Sequence, residues 1–221
     1  MLTATNIHSL QALRQNRVFS SFDVDYAQKP ISSILQPHKL TTLSHAAAPH
    51  CHADHLTIGD LGVGAIHFGE AQVDVPTIAD YHLFIVCVAG GAHIQVDSRE
   101  FAVHESKALI VPPGSRMQAR SSADCEWLFV HLPQVSLRAH APPEHVEFAP
   151  EVDLDNPLLR PFLSHLQLIT SNVATVDLLR TNSIIKAQYE RILVNMLLAG
   201  QAHRFGDGKA TAVAPRSVRL A

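Results

Sequence analysis

What this sequence lacks bounds it as much as what it contains. Cysteine is scarce: Cys51, Cys87 and Cys125 are the three, and no CxxC pair occurs. An odd, sparse set excludes a disulfide scaffold and fits a reducing compartment. Cys87 lies inside an apolar run and reads as a buried thiol. No apolar run approaches the length that spans a bilayer, and MLTATNIHSLQALRQ holds no uninterrupted apolar segment of signal-peptide type. No membrane is expected, and the cytoplasm is the default. There is no P-loop, no GxGxxG and no nucleophile elbow. Cys51 stands beside two histidines, but nothing supplies an oxyanion hole or a third member for an activated thiolate. Charged residues make up only 17% and aromatic residues 6%, against 47% hydrophobic. That is a foldable globular composition. With 221 residues, one domain with an appendage or two small domains is expected.

The charge is unevenly spread. Residues 1–176 carry a balance of −7 and residues 177–221 one of +4, within a net charge of −3. A basic end can face nucleic acid, but it is also what a solvated helix face looks like.

The stretch YHLFIVCVAGGAHIQVDSREFAVHESKALIVPPG, Tyr81 to Gly114, organises the rest. Two β-rich runs joined at Gly90-Gly91 predict a hairpin, and KALIV stops at Pro112-Pro113-Gly114. Upstream, TNIHSLQALRQNR predicts a short amphipathic helix over 5–17 and residues 28–36 a second, ending at Pro37. KLTTLSH is a candidate first strand. HCHADHLTIGDLGVGAIHFGE reads as a hairpin turning at Gly59-Asp60, VDV as a short strand, and EWLFVHLP as the last strong one. About eight strands result, enough to close a small barrel around a ligand-sized interior.

Composition changes at Pro142. APPEHVEFAPEVDLDNP reads as a Pro-rich acidic linker over 141–156 rather than a core element. Asn156-Pro157 predicts a helix start, and Leu158, Leu159, Phe162, Leu163, Leu166 and Ile169 recur at helical spacing. A second helix is predicted over 177–203, with a stop beginning at Gly200. Each helix must bury an apolar stripe, one on the barrel and the other against a second copy of the chain. FGDGKATAVAP reads as a flexible tail, and RSVRLA as the first turn of something further.

Fifteen histidines require metal to be weighed. His50, His52 and His55, with Cys51 and Asp54, form the densest cluster, but a catalytic site needs a further ligand and an open position. Cupin metal motifs do not fit either. Pro112-Pro113-Gly114 resembles the second motif, but Met117 stands at its ligand position. Leu83 stands where the first motif has Glu, and Thr77 and Ala79 fall near its histidines. No metal and no cofactor are expected.

YHLFIVCVAGG, the ALIVPPG turn, SADCEWLFVHLP and LTIGDLGVGAIHFGEAQVDV together resemble the N-terminal regulatory domain of AraC/XylS-family transcription regulators, nearest the XylS-like branch, which responds to benzoate-type aromatic acids. The helices at 157–203 and the closing APRSVRLA fit the same resemblance, which covers nearly the whole chain. It implies a fold that is mainly β with α: a cupin-like barrel over 1–140, followed by a two-helix antiparallel dimerisation element over 157–203. Residues 204–221 would be a tail leading to a helix-turn-helix domain that is not in this chain.

The implied role is sensing, not catalysis. A small-molecule effector binds the barrel, the chain forms a homodimer through the 177–203 helix, and DNA is contacted only by the missing domain. Alignment on the glycine and proline turns puts Tyr81, Leu83, Ile85, Cys87, Met117 and Leu128 near barrel-lining positions. The branch's Arg-rich segment is here AAAPHCHADH, without Arg. A carboxylate effector would then need His50, His52, His93 or Arg116 as counter-charge. Ile184, Ile185, Tyr189, Ile192, Leu193 and Met196 are the dimerisation candidates. The alternatives are a free-standing ligand-binding cupin and a metal-dependent enzyme built on His50, His52 and His55.

Overall fold

The run YHLFIVCVA is one strand, buried on both faces from Tyr81 to Cys87. That is why its sequence does not alternate. The computed structural model describes residues 7, 9–43, 50–140, 146–205 and 209–211. The strands are β1 Arg17–Ser21, β2 Lys39–Thr42, β3 Cys51–Ile58, β4 Leu61–His67, β5 Ala71–Val75, β6 Tyr81–Ala89, β7 Ala92–Val96, β8 Arg99–Val103, β9 Lys107–Val111, β10 Met117–Ser121, β11 Glu126–Pro133, β12 Val146–Phe148, β13 Glu151–Asp153, β14 His203–Phe205 and β15 Lys209–Thr211. The helices are α1 Val24–Ile34, α2 Gln134–His140, α3 Arg160–Ser171, α4 Val173–Thr181 and α5 Ser183–Gly200.

The strands form two large antiparallel sheets rather than one closed barrel of about eight strands. One sheet has the order β1-β3-β4-β11-β6-β9-β13 and the other β2-β5-β10-β7-β8. A small third sheet, β12-β14-β15, lies outside them. The larger sheet is a shared wall. Its inward residues, among them Leu83, Ile85, Trp127 and Phe129, pack against Val73, Val75, Met117 and Ala119 of the second sheet. Its outward residues, among them Phe84, Val86, Leu128 and Val130, belong to a separate core with Phe162, Leu166, Leu193 and Leu197 of the helices. The second sheet has one wet face, and its strands alternate as expected: β7 runs buried, exposed, buried, exposed, buried.

Several local expectations need correction. The N-terminal segment is not a helix over 5–17. Residues 1–6 and 8 lie outside the described residues, Leu13–Asn16 is one 3₁₀ turn, and Arg17 begins a strand. Its Ile7, Leu10 and Leu13 are nevertheless buried, and the Ala12 N–H donates to the Thr170 carbonyl at 2.9 Å. The acidic 141–156 segment is partly core. Val146, Phe148, Val152 and Leu154 are buried, because β13 adds to the edge of β9 and β12 pairs with β14. Residues 141–145 lie outside the described residues.

The long helix ends at Gly200, and His203–Phe205 is a strand. Part of the tail, Lys209–Thr211, pairs with it, while RSVRLA lies outside the described residues. Three helices stand where two were expected. Asn172 and Asn182 break the run by capping: their side-chain oxygens accept from Thr175 N–H at 2.9 Å and Ile185 N–H at 3.0 Å. Asn156 does not cap α3. It turns the chain at Leu158 and donates to the Gly200 carbonyl, pinning the end of α5.

The β3–β4 hairpin tip rests on α5. Gly59 has φ +63, and the Asp60 N–H donates to Glu190 Oε2 at 3.2 Å. A Cβ on Gly59 would lie 1.7 Å from that oxygen. Gly59→Ala is therefore expected to cost about 1 kcal/mol or more, measured by urea unfolding. Glu190→Ala, which keeps the turn and loses only the bond, should cost less. Among the described residues no helix is long and apolar enough to cross a membrane.

Candidate functional site

A cavity of about 40 Å³ lies between the two sheets. β6 contributes Tyr81, Leu83 and Ile85, and β11 contributes Trp127 and Phe129. β5 and β10 face them with Val73, Val75 and Met117, while Ile31 and Leu35 of the α1 region close one side with Gln36 and His38. The parity is set by pairing: Trp127 sits opposite Cys87, Phe129 opposite Ile85 and His131 opposite Leu83. Phe129 has room because its ring lies over Gly64, where a Cβ would come within 2.2 Å of the ring.

Of the residues singled out in the sequence, Tyr81, Leu83, Ile85 and Met117 meet at this cavity. Cys87 lies further along the same face, its sulfur 3.5 Å from that of Cys125. The Cys87 hydrogen bond and burial push the Cys125 thiol far up, so it stays protonated. Leu128 is a correction: it pairs with Val86 and packs on the helical side. A run apolar on both faces gives no parity signal, so its inward neighbours Trp127 and Phe129 were missed.

The charged candidates do not reach the cavity. His50 bonds the Ser20 hydroxyl at 2.8 Å, and His52 meets Glu126 at 3.3 Å and stacks with His67. His93 lies in a shallow depression on the wet face of the second sheet with Gln95, Gln118 and Arg120. Arg116 lines an open recess with Pro37, Lys39, Asp74 and Pro76, and His38 forms part of its wall. The His50, His52 and His55 cluster does not converge. His55 stacks on Phe129, whose ring belongs to the core between the sheets, while His52 turns to Glu126. Among the described residues no group of three or more His, Cys, Asp or Glu side chains is placed to hold a metal ion.

Gln36 and His38 were missed as well, since nothing in QPHKL marks them. Gln36 is engaged at both ends of its amide. Its amide nitrogen donates to the Thr77 carbonyl, and its oxygen accepts from Ala79 N–H at 2.8 Å. His38 is 8% exposed. Its Nδ1 lies 3.0 Å from the Gln36 carbonyl, which assigns the proton to Nδ1. Its Nε2 is buried without a partner. Burial lowers the His38 pKa against that hydrogen bond, so the ring is neutral.

Two further histidines lie beside the cavity wall. His131 packs against Tyr81 with the rings tilted at 50° and centroids 4.2 Å apart, and burial, then the charge of His55, push it down to about 4 against Asp80. Burial also lowers His55. Below pH 6.5, the ordinary histidine value, the unfolded chain takes up protons that the folded chain refuses, so stability falls with pH. The contribution of neutral His131 is present above that value and is lost as pH drops toward 4. Melting temperature should decline over this window, and less steeply in His131→Gln.

The dimerisation candidates divide. Leu193 is wholly buried in the chain's own core, which corrects its assignment to a partner-facing stripe. Ile185, Tyr189 and Met196 pack partly against that core, and Ile192 is half-buried. Ile184 is 72% exposed.

A family profile described as "AraC-binding-like domain" matches residues 27–199. Among solved structures, the AraC-like transcriptional activator CuxR has TM-score 0.63 and 11% identity, covering 88% of this chain and 73% of its own. At that identity the likeness is one of fold. Oxalate decarboxylase of Bacillus subtilis (TM-score 0.34, 14% identity, 42% of this chain and 29% of its own) matches over a smaller part. So does the putative ethanolamine utilization protein of Salmonella typhimurium (TM-score 0.34, 15% identity, 43% and 79%). No curated protein is significantly similar in sequence.

Proposed function

The chain belongs to the AraC-binding-like domain family, and from that premise we propose that it is the ligand-sensing domain of an AraC-type transcription regulator acting in the cytoplasm, with a cupin-like pocket between its sheets. The observation that carries this is the shared wall. β6 turns Leu83 and Ile85 to the cavity and Phe84 and Val86 to the helices, and β11 does the same with Trp127 and Phe129 against Leu128 and Val130. A ligand that shifts these strands must also shift what packs behind them. It biases the regulator only by binding one arrangement better than the other. Sensing is favoured over catalysis because, of the residues at cupin ligand positions, Leu83 has no ligating atom and Met117 offers only a soft thioether in place of an imidazole.

The aromatic walls of the cavity, Phe68, Trp127 and Phe129, support an aromatic effector. The exposed Ile184 supports a homodimer formed on the outer side of α5. DNA binding belongs to another domain of the regulator. A thermal-shift screen of aromatic acids and related metabolites is the direct test. An effector at 100 times its Kd adds about 2.7 kcal/mol of stability, and Leu83→Trp, which fills the cavity, should abolish the shift. A hit that survives Leu83→Trp would place binding elsewhere. In sedimentation, Ile184→Glu should weaken the dimer.

A further inference from the structure

We propose that the cavity takes a small planar apolar molecule bearing one hydroxyl or ring N–H, the phenol class, and that His38 Nε2 accepts its hydrogen bond. This rests on the reading of the cavity as the effector site.

Three observations lead here. First, no Lys or Arg lines the cavity. A carboxylate placed inside would lose its hydration with no counter-charge, a cost far above that of a neutral hydroxyl. Second, among the described side chains that line it, His38 alone presents a buried acceptor without a partner. Gln36 spends both ends of its amide on the backbone of Thr77 and Ala79. The Trp127 indole N–H is also buried without a partner, but it is a donor, for which a hydroxyl oxygen is an acceptor. His38 spends Nδ1–H on the Gln36 carbonyl and leaves Nε2 sealed from solvent with nothing to accept. A neutral imidazole with its proton on Nδ1 presents a lone pair at Nε2, so the missing partner is a donor. A buried acceptor without a partner is a standing cost that a ligand hydroxyl removes. Third, Phe68, Trp127 and Phe129 provide aromatic faces for a ring.

The ring needs more room than about 40 Å³, since a cavity of roughly 150 Å³ holds benzene. The walls are unequal. β6, β11, β5 and β10 are bonded on both sides within their sheets. The wall at Ile31 and Leu35 belongs to a helix with Pro30 inside it, one backbone bond short. Widening falls to that side, next to His38.

The competing chemistry is an anion. His38 also borders the outer recess, where Lys39 and Arg116 lie, and an aromatic carboxylate could reach them through that wall. Calorimetric titration with p-cresol, toluene and benzoate separates the two. The expected result is p-cresol binding about tenfold tighter than toluene, the worth of one buried hydrogen bond, with benzoate weakest. His38→Phe should erase the preference for p-cresol over toluene, read as the ratio of the two affinities, with the melting temperature as the check on folding. His38→Gln, which keeps an acceptor, should retain much of the preference. Tightest binding by benzoate, or p-cresol affinity unchanged in His38→Phe, overturns the phenol assignment while leaving the cavity an effector site. Absence of binding by all three, together with a wider screen in which every hit survives Leu83→Trp, overturns both.

Discussion

Phe162→Ala is expected to cost about 3–5 kcal/mol of folding stability. Phe162 is fully buried and meets Phe84 edge-to-face, with centroids 5.3 Å apart and planes at 86°. Truncation removes a large apolar side chain and leaves a cavity where α3 meets the outward face of β6. The surrounding walls, among them Leu128, Val130 and Leu166, are held by sheet ladders and helix bonds and cannot collapse to fill it. Phe162→Leu keeps much of the volume and should lose less. The measurement is chemical denaturation, with hydrogen exchange across 160–200 as a second readout, since the helices should lose protection before the sandwich does. A cost under about 1 kcal/mol would mean that the helices do not rest on this sheet. It would also remove the mechanical link between cavity and helices on which the sensing role depends.

Arg17→Met is the second large effect, and its origin is electrostatic. Asp54 is wholly buried, and the Arg17 guanidinium, 31% exposed, is hydrogen-bonded to its carboxylate across the β1–β3 ladder. Burial raises the Asp54 pKa, partly offset by the hydrogen bond and charge of Arg17 and by the nearby charges of His52 and Arg14. Without Arg17 the carboxylate must stay buried with little compensation or take up a proton. The expected loss near pH 7 is about 3 kcal/mol, at the low end for breaking a buried pair because Arg17 is partly wet. The sign with pH is fixed. A carboxyl whose folded pKa lies above its unfolded value binds more protons when folded, so the penalty shrinks as pH falls toward its ordinary range. Arg17→Met combined with Asp54→Leu should recover most of the loss, since an apolar pair of similar size has no charge to desolvate. A double variant as unstable as the single one would show that the guanidinium acts by packing alone.

Local pattern made much of this fold legible. The Gly90-Gly91 turn, the Gly59-Asp60 hairpin, the stop at Pro112-Pro113-Gly114 and the strand EWLFVHLP all depend on residues within a few positions of one another. Each is where that chemistry puts it. The three-helix arrangement was also written locally, since Asn172 and Asn182 are good caps, but the apolar spacing around them masks the breaks. The N-terminal segment misled for the opposite reason. Ile7, Leu10 and Leu13 have helical spacing, yet they are buried by contacts with the rest of the fold, not by the face of a helix.

By itself, then, the sequence determined the mainly-β class, the main turns, the helical layer and the family. These follow from turn stereochemistry, periodicity and motif order. Only the tertiary structure decided which face of LFIVCV looks inward, that Leu128 serves the helices while Trp127 and Phe129 serve the cavity, and that Leu193 is spent on its own core. It also decided that the histidine cluster disperses and that a lone imidazole between Pro37 and Lys39 is left with an unfilled acceptor. The physical reason is common to all of these. A strand buried on both faces has no polar side to give its register, and a cavity is made by residues from separate strands and a helix that no local spacing relates.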